Sequence, residues 1–331
     1  MSTIKIAITG AAGNIAYALL PRLGELLLDL QASISLRLLE VTPALGALEA
    51  VRMELEDCAY PFLDEIICTS NADEAFKDAN WIILIGAKPR VRGMERADLL
   101  RENAEIFKHQ GKSINQHASR DAKVLVVGNP CNTNAYITKH FAPNLPASAF
   151  YSLSMLDQHR AYAQLAAKMS IGCDRIENLC VWGNHSATGM YVDYENALVD
   201  EVPLLSRYND DQWLGIQLQD LVSQRGAAVI DARGSSSAAS AANAIIDTIV
   251  TLIDKDPDQG RFSLGVVSSG EYGAIPGLIV SYPCQFEADG ELKIVKDLEH
   301  SKSGKAKLEA AFAELAAEVD QVRAMGLLSA S

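Results

Sequence analysis

Two arginines, a DxxR pair and a histidine have the types and spacing for proton transfer on a small diacid. Arg90 and Arg96 are six residues apart in AKPRVRGMERADLL. Asp157 and Arg160 are three apart, and His185 ends the segment WGNH. Guanidinium groups grip carboxylates through paired hydrogen bonds, and an imidazole exchanges a proton near neutral pH. These residues therefore predict a site that holds a dicarboxylate and moves a proton at its carbonyl or hydroxyl carbon.

Asp157 and Arg160 fall at the start of a helical pattern, and a spacing of three places them on one face. Asp157 could then accept a hydrogen bond from His185 and fix its tautomer, while Arg160 grips a substrate carboxylate. Arg96 is our candidate for stabilising the developing alkoxide, and Arg90, on a glycine-containing loop, for the second carboxylate. Taken alone, DxxR also fits a helix-surface ion pair, and the arginine run fits a solvated basic face.

The chain has six histidines, and only His185 follows a short apolar run and a glycine, in a loop that could project into a cleft. His159 is two residues from Asp157, so their side chains should point apart on one helix. The other four stand in polar contexts that predict surface positions: His109, His117, His140 and His300.

A glycine loop opens the chain, directly after the apolar run Ile4–Thr9 and before a helical pattern. This context is typical of a dinucleotide-binding turn, in which backbone N–H groups and the helix N-terminus receive the pyrophosphate. Glu40 ends the second predicted strand, where an acid would accept the ribose hydroxyls and repel a 2′-phosphate, which favours NAD over NADP. An exposed strand-end acid is the alternative for Glu40. The loop residues expected to touch the cofactor are Gly10, Ala11, Ala12, Gly13, Asn14, Ile15 and Ala16.

Length and composition fit two packed domains. The 331 residues carry a formal charge of −13, with 49% hydrophobic and 21% charged residues, and no apolar run long enough to cross a membrane. Such a charge repels nucleic acid and anionic lipid, so neither partner is expected.

The six scattered cysteines form no CxxC pair, which predicts reduced thiols in a cytoplasm and no metal site. The first strand follows Met1 almost at once, with no basic stretch, apolar segment and cleavage site before it, so we expect the mature chain to start here.

The first half alternates short strands with helical segments, which predicts an α/β fold with a Rossmann-type doubly wound parallel sheet. We expect an NAD-binding domain over residues 1–153 and an α+β catalytic domain over 154–331. Asp289-Gly290 predicts a hairpin, and apolar spacing predicts a C-terminal helix from about Lys305 to Arg323, packed on the second domain. Asn129, after the fourth strand, could contact substrate or nicotinamide, or could simply precede a turn proline.

The chain resembles the lactate/malate dehydrogenase family, and specifically its cytosolic-type malate dehydrogenase branch. The likeness covers nearly the whole chain, and the matching stretches are TGAAGNIAYALL, MELEDCAYP, PRVRGMERADLL, VVGNPCNTN, LDQHRA and VWGNHSAT. It implies NAD-dependent interconversion of (S)-malate and oxaloacetate, a tricarboxylic acid cycle reaction, in a homodimer. Lactate-specific relatives carry glutamine in place of Arg90.

By this resemblance His185 is the acid/base, Asp157 orients it, and Arg90, Arg96 and Arg160 hold substrate. Asn129 and Ser237 match substrate contacts, Ser237 within a run of three serines. The positions that match NAD contacts downstream of Glu40 are Asn103, Gln110, Val127, Gly128 and Asn129.

Two other functions compete with this one. A short-chain dehydrogenase or epimerase shares the TGAAG opening but needs Tyr-x-x-x-Lys, and no tyrosine here has a lysine four residues on. A non-catalytic NAD-sensing module would keep the glycine loop and Glu40, yet it has no use for the arginines, Asp157 and His185 together.

Overall fold

The computed structural model describes residues 3–30, 33–88 and 96–328, without the side chains at 27–30 and 96–97. The described residues divide into two compact units. The first holds the described chain up to Ser152, Ala241–Ile246, and the described residues from Glu318 onward. The second holds Leu153–Ser240 and Asp247–Ala317. Two short returning segments therefore complete the first unit, although it is built mainly from the first half of the chain.

The first unit contains a six-stranded parallel sheet in the order β3-β2-β1-β4-β5-β6. Its strands are β1 (Thr3–Thr9), β2 (Ser33–Leu39), β3 (Leu63–Thr69), β4 (Trp81–Leu84), β5 (Lys123–Val126) and β6 (Phe150–Ser152). Its helices are α1 (Asn14–Leu30), α2 (Leu45–Asp57), α3 (Ala72–Phe76), α4 (Arg96–His117) and α5 (Cys131–Phe141). This strand order is that of a doubly wound nucleotide-binding fold, as predicted.

The central strands of this sheet are buried on both faces. Ile8 of β1, Ile83 of β4 and Leu125 of β5 are fully buried. Near-continuous apolar runs are expected where helices cover both faces of a parallel sheet. The strand order reverses between β1 and β4, so the ends of these two strands form the crevice in which such folds bind their ligands.

The second unit contains an antiparallel sheet, β12-β13-β8-β9, with β14 paired to β13, and a small sheet, β11-β10-β7. Its strands are β7 (Ile176–Glu177), β8 (Cys180–Gly183), β9 (Met190–Asp193), β10 (Leu198–Val199), β11 (Val202–Pro203), β12 (Phe262–Val267), β13 (Ile279–Phe286) and β14 (Leu292–Ile294). The later helices are α6 (Met155–Met169), α7 (Leu204–Arg207), α8 (Leu218–Ser223), α9 (Arg225–Arg233), α10 (Ala239–Asp254) and α11 (Lys302–Ala324). A π-helical turn, Trp213–Gln217, precedes α8.

The predicted hairpin and C-terminal helix are both present. The β13–β14 hairpin turns through Gly290, whose φ of 78° is the left-handed conformation that glycine adopts without a Cβ penalty. On α11, Phe312 packs against Tyr282 of β13 within the second unit. From Glu318 onward the helix belongs to the first unit, so the prediction that it packs on the second domain is right only for its earlier turns.

Candidate active site

The turn after β1 is too tight for a side chain at Gly10. Gly10 has a φ of 66°, and a Cβ built on it would lie 2.7 Å from Gly86 Cα, just past the end of β4. The amide of Gly13 donates to the Gly10 carbonyl at 3.0 Å, and α1 begins at Asn14. Ala11 and Ala16 are fully buried beneath the turn. The loop therefore presents bare backbone and a helix N-terminus at the strand-order reversal, a cradle that fits a dinucleotide pyrophosphate.

Glu40 lies beside this loop although it is far from it in sequence. Its Oε1 accepts from the Ala12 amide at 3.3 Å, and its Oε2 accepts from the Val41 amide at 2.8 Å. These bonds hold an acidic side chain at the end of β2, next to the phosphate-binding turn. This is the arrangement in which a carboxylate accepts from ribose hydroxyls.

The segment after β5 is shaped by close packing. Gly128 is buried, and an added Cβ would lie 2.9 Å from Ala87 Cβ and 3.0 Å from the Ile85 carbonyl oxygen. Its own carbonyl accepts from Asn134 Nδ2 at 2.8 Å. Val127 is buried, whereas Asn129 is exposed at the strand end. Asn129 is therefore the side chain of this segment that is open to a ligand.

Asn103 and Gln110 both lie on the inner side of α4. Asn103 is fully buried, and its amide bonds the backbone of Lys88 twice, accepting from the amide at 2.8 Å and donating to the carbonyl at 3.2 Å. Gln110 is 8% exposed. Asn103 thus anchors the chain beyond β4. The sequence had predicted an NAD contact for this residue and not this structural role.

Asp157 links the acid/base residue to a guanidinium in the second unit. Its side chain is 2% exposed, and its Oδ2 pairs with His185 Nδ1. Its Oδ1 accepts from Arg160 Nη1 at 3.1 Å. One turn of α6 therefore carries a carboxylate that holds an imidazole on one oxygen and an arginine on the other. The contact with His185 is as predicted. The contact with Arg160 is the ion pair named as the alternative for DxxR, but it is largely buried and does not lie on the helix surface.

Ser237 lies beside the Arg160 guanidinium. Arg160 Nη2 donates to Ser237 Oγ at 3.3 Å, and a Cβ added to Gly226 would lie 3.8 Å from that nitrogen. The Arg160 side chain is 12% exposed and that of His185 18%. A buried carboxylate therefore lies beneath two partly exposed donors, the donor types that a carboxylate and a carbonyl oxygen of a substrate require.

The arginine run cannot be placed in the same way. Arg90 lies outside the described residues, and Arg96 begins α4 with its side chain outside them. Their substrate contacts therefore stay predictions. Among the described residues, no cluster of three or more His, Cys, Asp or Glu is arranged to hold a metal ion.

One histidine prediction is wrong. The His300 side chain is 2% exposed and packs edge-on against Trp182, with ring centroids 5.0 Å apart. Its Nδ1 lies 3.9 Å from Oδ1 of Asp193, and burial raises the pKa of Asp193. The sequence around His300 is polar, but the side chain packs inside the protein, near a buried acid on β9.

His159 has a different partner from His185. It pairs with Asp247 at 3.4 Å, and burial lowers the pKa of His159.

The loop that carries His185 has a contact that sequence reasoning missed. Glu314, on α11, accepts from Asn184 Nδ2 at 2.9 Å, and from Ser186 Oγ and Thr188 Oγ1 at 2.5 Å each. The helix was recognised by its apolar spacing alone. Its polar face gave no signal, because the partners lie 126 to 130 residues away in the chain.

Family models match both halves of the chain. Residues 4–150 match the lactate/malate dehydrogenase NAD binding domain, and residues 154–325 match the alpha/beta C-terminal domain of the same family. None of the helices in the described ranges is long and apolar enough to span a membrane.

Solved structures of similar proteins include dehydrogenases for both substrates. A malate dehydrogenase from Naegleria fowleri is 39% identical, with a TM-score of 0.93 over 98% of this chain and 99% of that one. A lactate dehydrogenase from Trichomonas vaginalis, in complex with NADH and oxamate, is 33% identical, with a TM-score of 0.91 over 98% and 99%. With the loop geometry and the Asp157 cluster, these matches show that the chain is an NAD-dependent oxidoreductase belonging to the lactate/malate dehydrogenase family.

Proposed function

We propose that the protein is a malate dehydrogenase, which interconverts (S)-malate and oxaloacetate with NAD. The observation that carries the proposal is the pairing of buried Asp157 with both His185 and Arg160. An imidazole held by a carboxylate beside a guanidinium is suited to exchange a proton with a carbon-bound oxygen while the adjacent carboxylate is gripped.

His185 acts as the general acid in reduction and the general base in oxidation. It gives a proton to the carbonyl oxygen of oxaloacetate as that carbon is reduced, and it removes the proton from the malate hydroxyl in the reverse direction. Asp157 fixes the tautomer by accepting a hydrogen bond from the Nδ1–H group of His185, and its charge stabilises the imidazolium. Because Asp157 is buried, its charge is poorly screened and acts strongly on the ring.

Arg160 binds the carboxylate next to the reacting carbon. Its guanidinium is held from one side by Asp157 and from another by Ser237, which restricts its orientation. A planar donor fork with few remaining rotamers binds a carboxylate with a small entropic loss. The substrate is thereby oriented before the chemical step, and Asn129 is our candidate for a further hydrogen bond.

The preference for malate over lactate rests on Arg90, with Arg96 stabilising the alkoxide. An arginine aimed at the substrate is useful only if the substrate has a second carboxylate, because an unpaired charge in a closing site is costly. The two similar structures named above are a malate dehydrogenase and a lactate dehydrogenase, so overall similarity does not decide between the two substrates. The residue type at position 90 favours the dicarboxylate.

The first unit supplies the cofactor site. NAD, when held there, would supply the hydride acceptor for malate oxidation, and its reduced form the hydride donor for oxaloacetate reduction. Gly10 and Gly13 allow the pyrophosphate to approach the backbone, and Glu40 receives the adenosine ribose. Because a 2′-phosphate would meet the Glu40 carboxylate, NADH should be used in preference to NADPH.

We also propose a cytoplasmic homodimer. None of the six cysteines is paired in a disulfide, which fits a reducing compartment. Large apolar side chains stand exposed on α1 and α2, where Tyr17 is 51% and Met53 52% exposed, and on α9, where Ile230 is 48% exposed. A second copy would cover such surfaces, so light scattering should give twice the chain mass of 35.7 kDa.

A substrate panel tests the function. Purified protein should oxidise NADH with oxaloacetate at a kcat/KM well above that with pyruvate, and NADPH should be the poorer cofactor with either. Faster turnover of pyruvate would make the protein a lactate dehydrogenase. Binding of NADH without turnover of either 2-oxo acid would instead favour an NAD sensor.

A further inference from the structure

The His185 loop is held by a single carboxylate from the C-terminal helix. Glu314 gathers three side-chain donors from Asn184, Ser186 and Thr188, which flank His185 on both sides. A carboxylate has about four acceptor positions, so three donors nearly fill it. The only side chain between Asn184 and Ser186 is the imidazole itself, which turns instead to Asp157.

The loop backbone is closed on itself around this contact. The Asn184 amide donates to the Gly189 carbonyl at 2.8 Å, and the Gly189 amide donates to Ser186 Oγ at 2.8 Å. Ser186 is thus used twice, as an acceptor within the loop and as a donor to Glu314. The loop and the helix therefore share one hydrogen-bond network.

Two glycines make the close approach of helix and loop possible. A Cβ on Gly189 would lie 2.8 Å from Glu314 Oε1, and a Cβ on Gly183 would lie 2.6 Å from Ala311 Cβ. Gly183 also has a φ of 89°. The backbone is therefore shaped to bring α11 against the loop, and the carboxylate is not an incidental surface contact.

We propose that Glu314 is a positioning residue for the acid/base chemistry of His185, an inference that rests on the proposed function. Glu314 fixes the conformation of the loop. The loop conformation in turn favours the imidazole orientation that is hydrogen-bonded to Asp157 over orientations that are rotated away from it. Misplacement of a reacting group by about 1 Å can cost about 100-fold in rate. The residue itself touches neither substrate nor cofactor in this role.

The direct test is Glu314→Ala, compared with Glu309→Ala as a matched control. Glu309 is an exposed glutamate earlier on the same helix, so both changes alter helix propensity equally. Single-turnover oxidation of enzyme-bound NADH by saturating oxaloacetate should slow about 10- to 100-fold in Glu314→Ala and stay at the wild-type rate in Glu309→Ala. The Kd for NADH should be unchanged in both.

A spectroscopic readout separates this inference from the proposed function. The Nδ1 proton that His185 shares with Asp157 should give a far-downfield proton resonance, whichever substrate the enzyme uses. That resonance should be broadened or lost in Glu314→Ala and retained in Glu309→Ala. If the wild-type protein reduced neither oxaloacetate nor pyruvate, the proposed function would fail while this measurement still tested the loop.

A second variant removes the donors and keeps the acid. Ser186→Ala combined with Thr188→Val takes two partners from Glu314 and should reproduce the slow single turnover and the altered resonance, even if Glu314→Ala does not fold. A folded variant of either kind with the wild-type single-turnover rate and an intact resonance would overturn the proposal. Partial recovery in Glu314→Gln, which keeps one acceptor oxygen, would support it.

Discussion

At the scale of single residues, the residue types and their spacing in the sequence predicted the contact between Asp157 and His185. Asp157 and Arg160 were expected on one helical face, with His185 as the partner of Asp157, and Asp157 contacts both His185 and Arg160. Local sequence failed where the deciding neighbour is distant: His300 is buried near Asp193, and Glu314 serves a loop more than 120 residues away. Polarity along the chain carries no information about such partners.

The prediction that belongs to a single side chain concerns Arg90. Arg90→Gln should shift the ratio of kcat/KM for oxaloacetate to that for pyruvate toward pyruvate, by about 30-fold or more, because loss of a paired charge costs about 2–5 kcal/mol. Initial rates with NADH and each substrate measure this ratio. An unchanged ratio would mean that position 90 does not meet the second carboxylate. Arg120→Gln, an exposed arginine after α4, is the control.

At the scale of elements, periodicity predicted the long helices and the central strands, but it missed the short helices α3, α7 and α9 and the edge strand β3. β3 was not recognised because Leu63–Thr69 includes Asp64 and Glu65, both exposed on an edge strand. Central strands such as β4 are apolar on both faces and therefore stand out in the sequence. The glycine loop was recognised because its function requires residues without side chains, a constraint that is visible in sequence.

The element-scale prediction concerns this turn. Gly10→Ala places a methyl group 2.7 Å from the Gly86 backbone at a φ of 66°. The Gly86 amide donates to the Thr9 carbonyl at 3.1 Å, so moving the two backbones apart would strain this hydrogen bond. We expect the free energy of unfolding to fall by at least about 1–2 kcal/mol, the cost of the left-handed conformation alone, and the Kd for NADH to rise about tenfold or more. Denaturant unfolding and NADH fluorescence titration measure the two effects.

Gly46→Ala provides the matched control for Gly10→Ala. Gly46 lies in the first turn of α2, and an added Cβ meets nothing within 4 Å. Alanine should therefore be neutral there, or stabilise by up to about 1 kcal/mol. Equal effects of the two substitutions would show that the turn after β1 has no special demand for glycine.

At the scale of the whole molecule, composition predicted a protein of two units, but not how the chain is divided between them. Residues 241–246 and those from Glu318 pack with the first unit. Linear patterns do not reveal such returns, because α10 and α11 have the apolar spacing of ordinary helices. The prediction divided the chain once, between residues 153 and 154, whereas α10 and α11 each contribute residues to both units.

Thiol accessibility tests the folded molecule as a whole. Cys58 and Cys173 are exposed, Cys68 is half-buried, and Cys131, Cys180 and Cys284 are buried. Burial raises the pKa of Cys180 to about 12, so its reactive thiolate is scarce at pH 8. A thiol reagent should label two cysteines quickly, one slowly, and the remaining three only after unfolding. Fast labelling of Cys180 or Cys284 in native protein, located by peptide mapping, would contradict the described core.

The central claim is that His185, held by Asp157, carries the proton in an NAD-dependent reduction, and its most direct test is the turnover of His185→Asn with oxaloacetate and NADH. We predict a loss of kcat of about 10²- to 10⁴-fold. The Kd for NADH should be unchanged, and the exposed His109→Asn should serve as the control. A His185→Asn enzyme that binds NADH and turns over at nearly the wild-type rate would contradict the account.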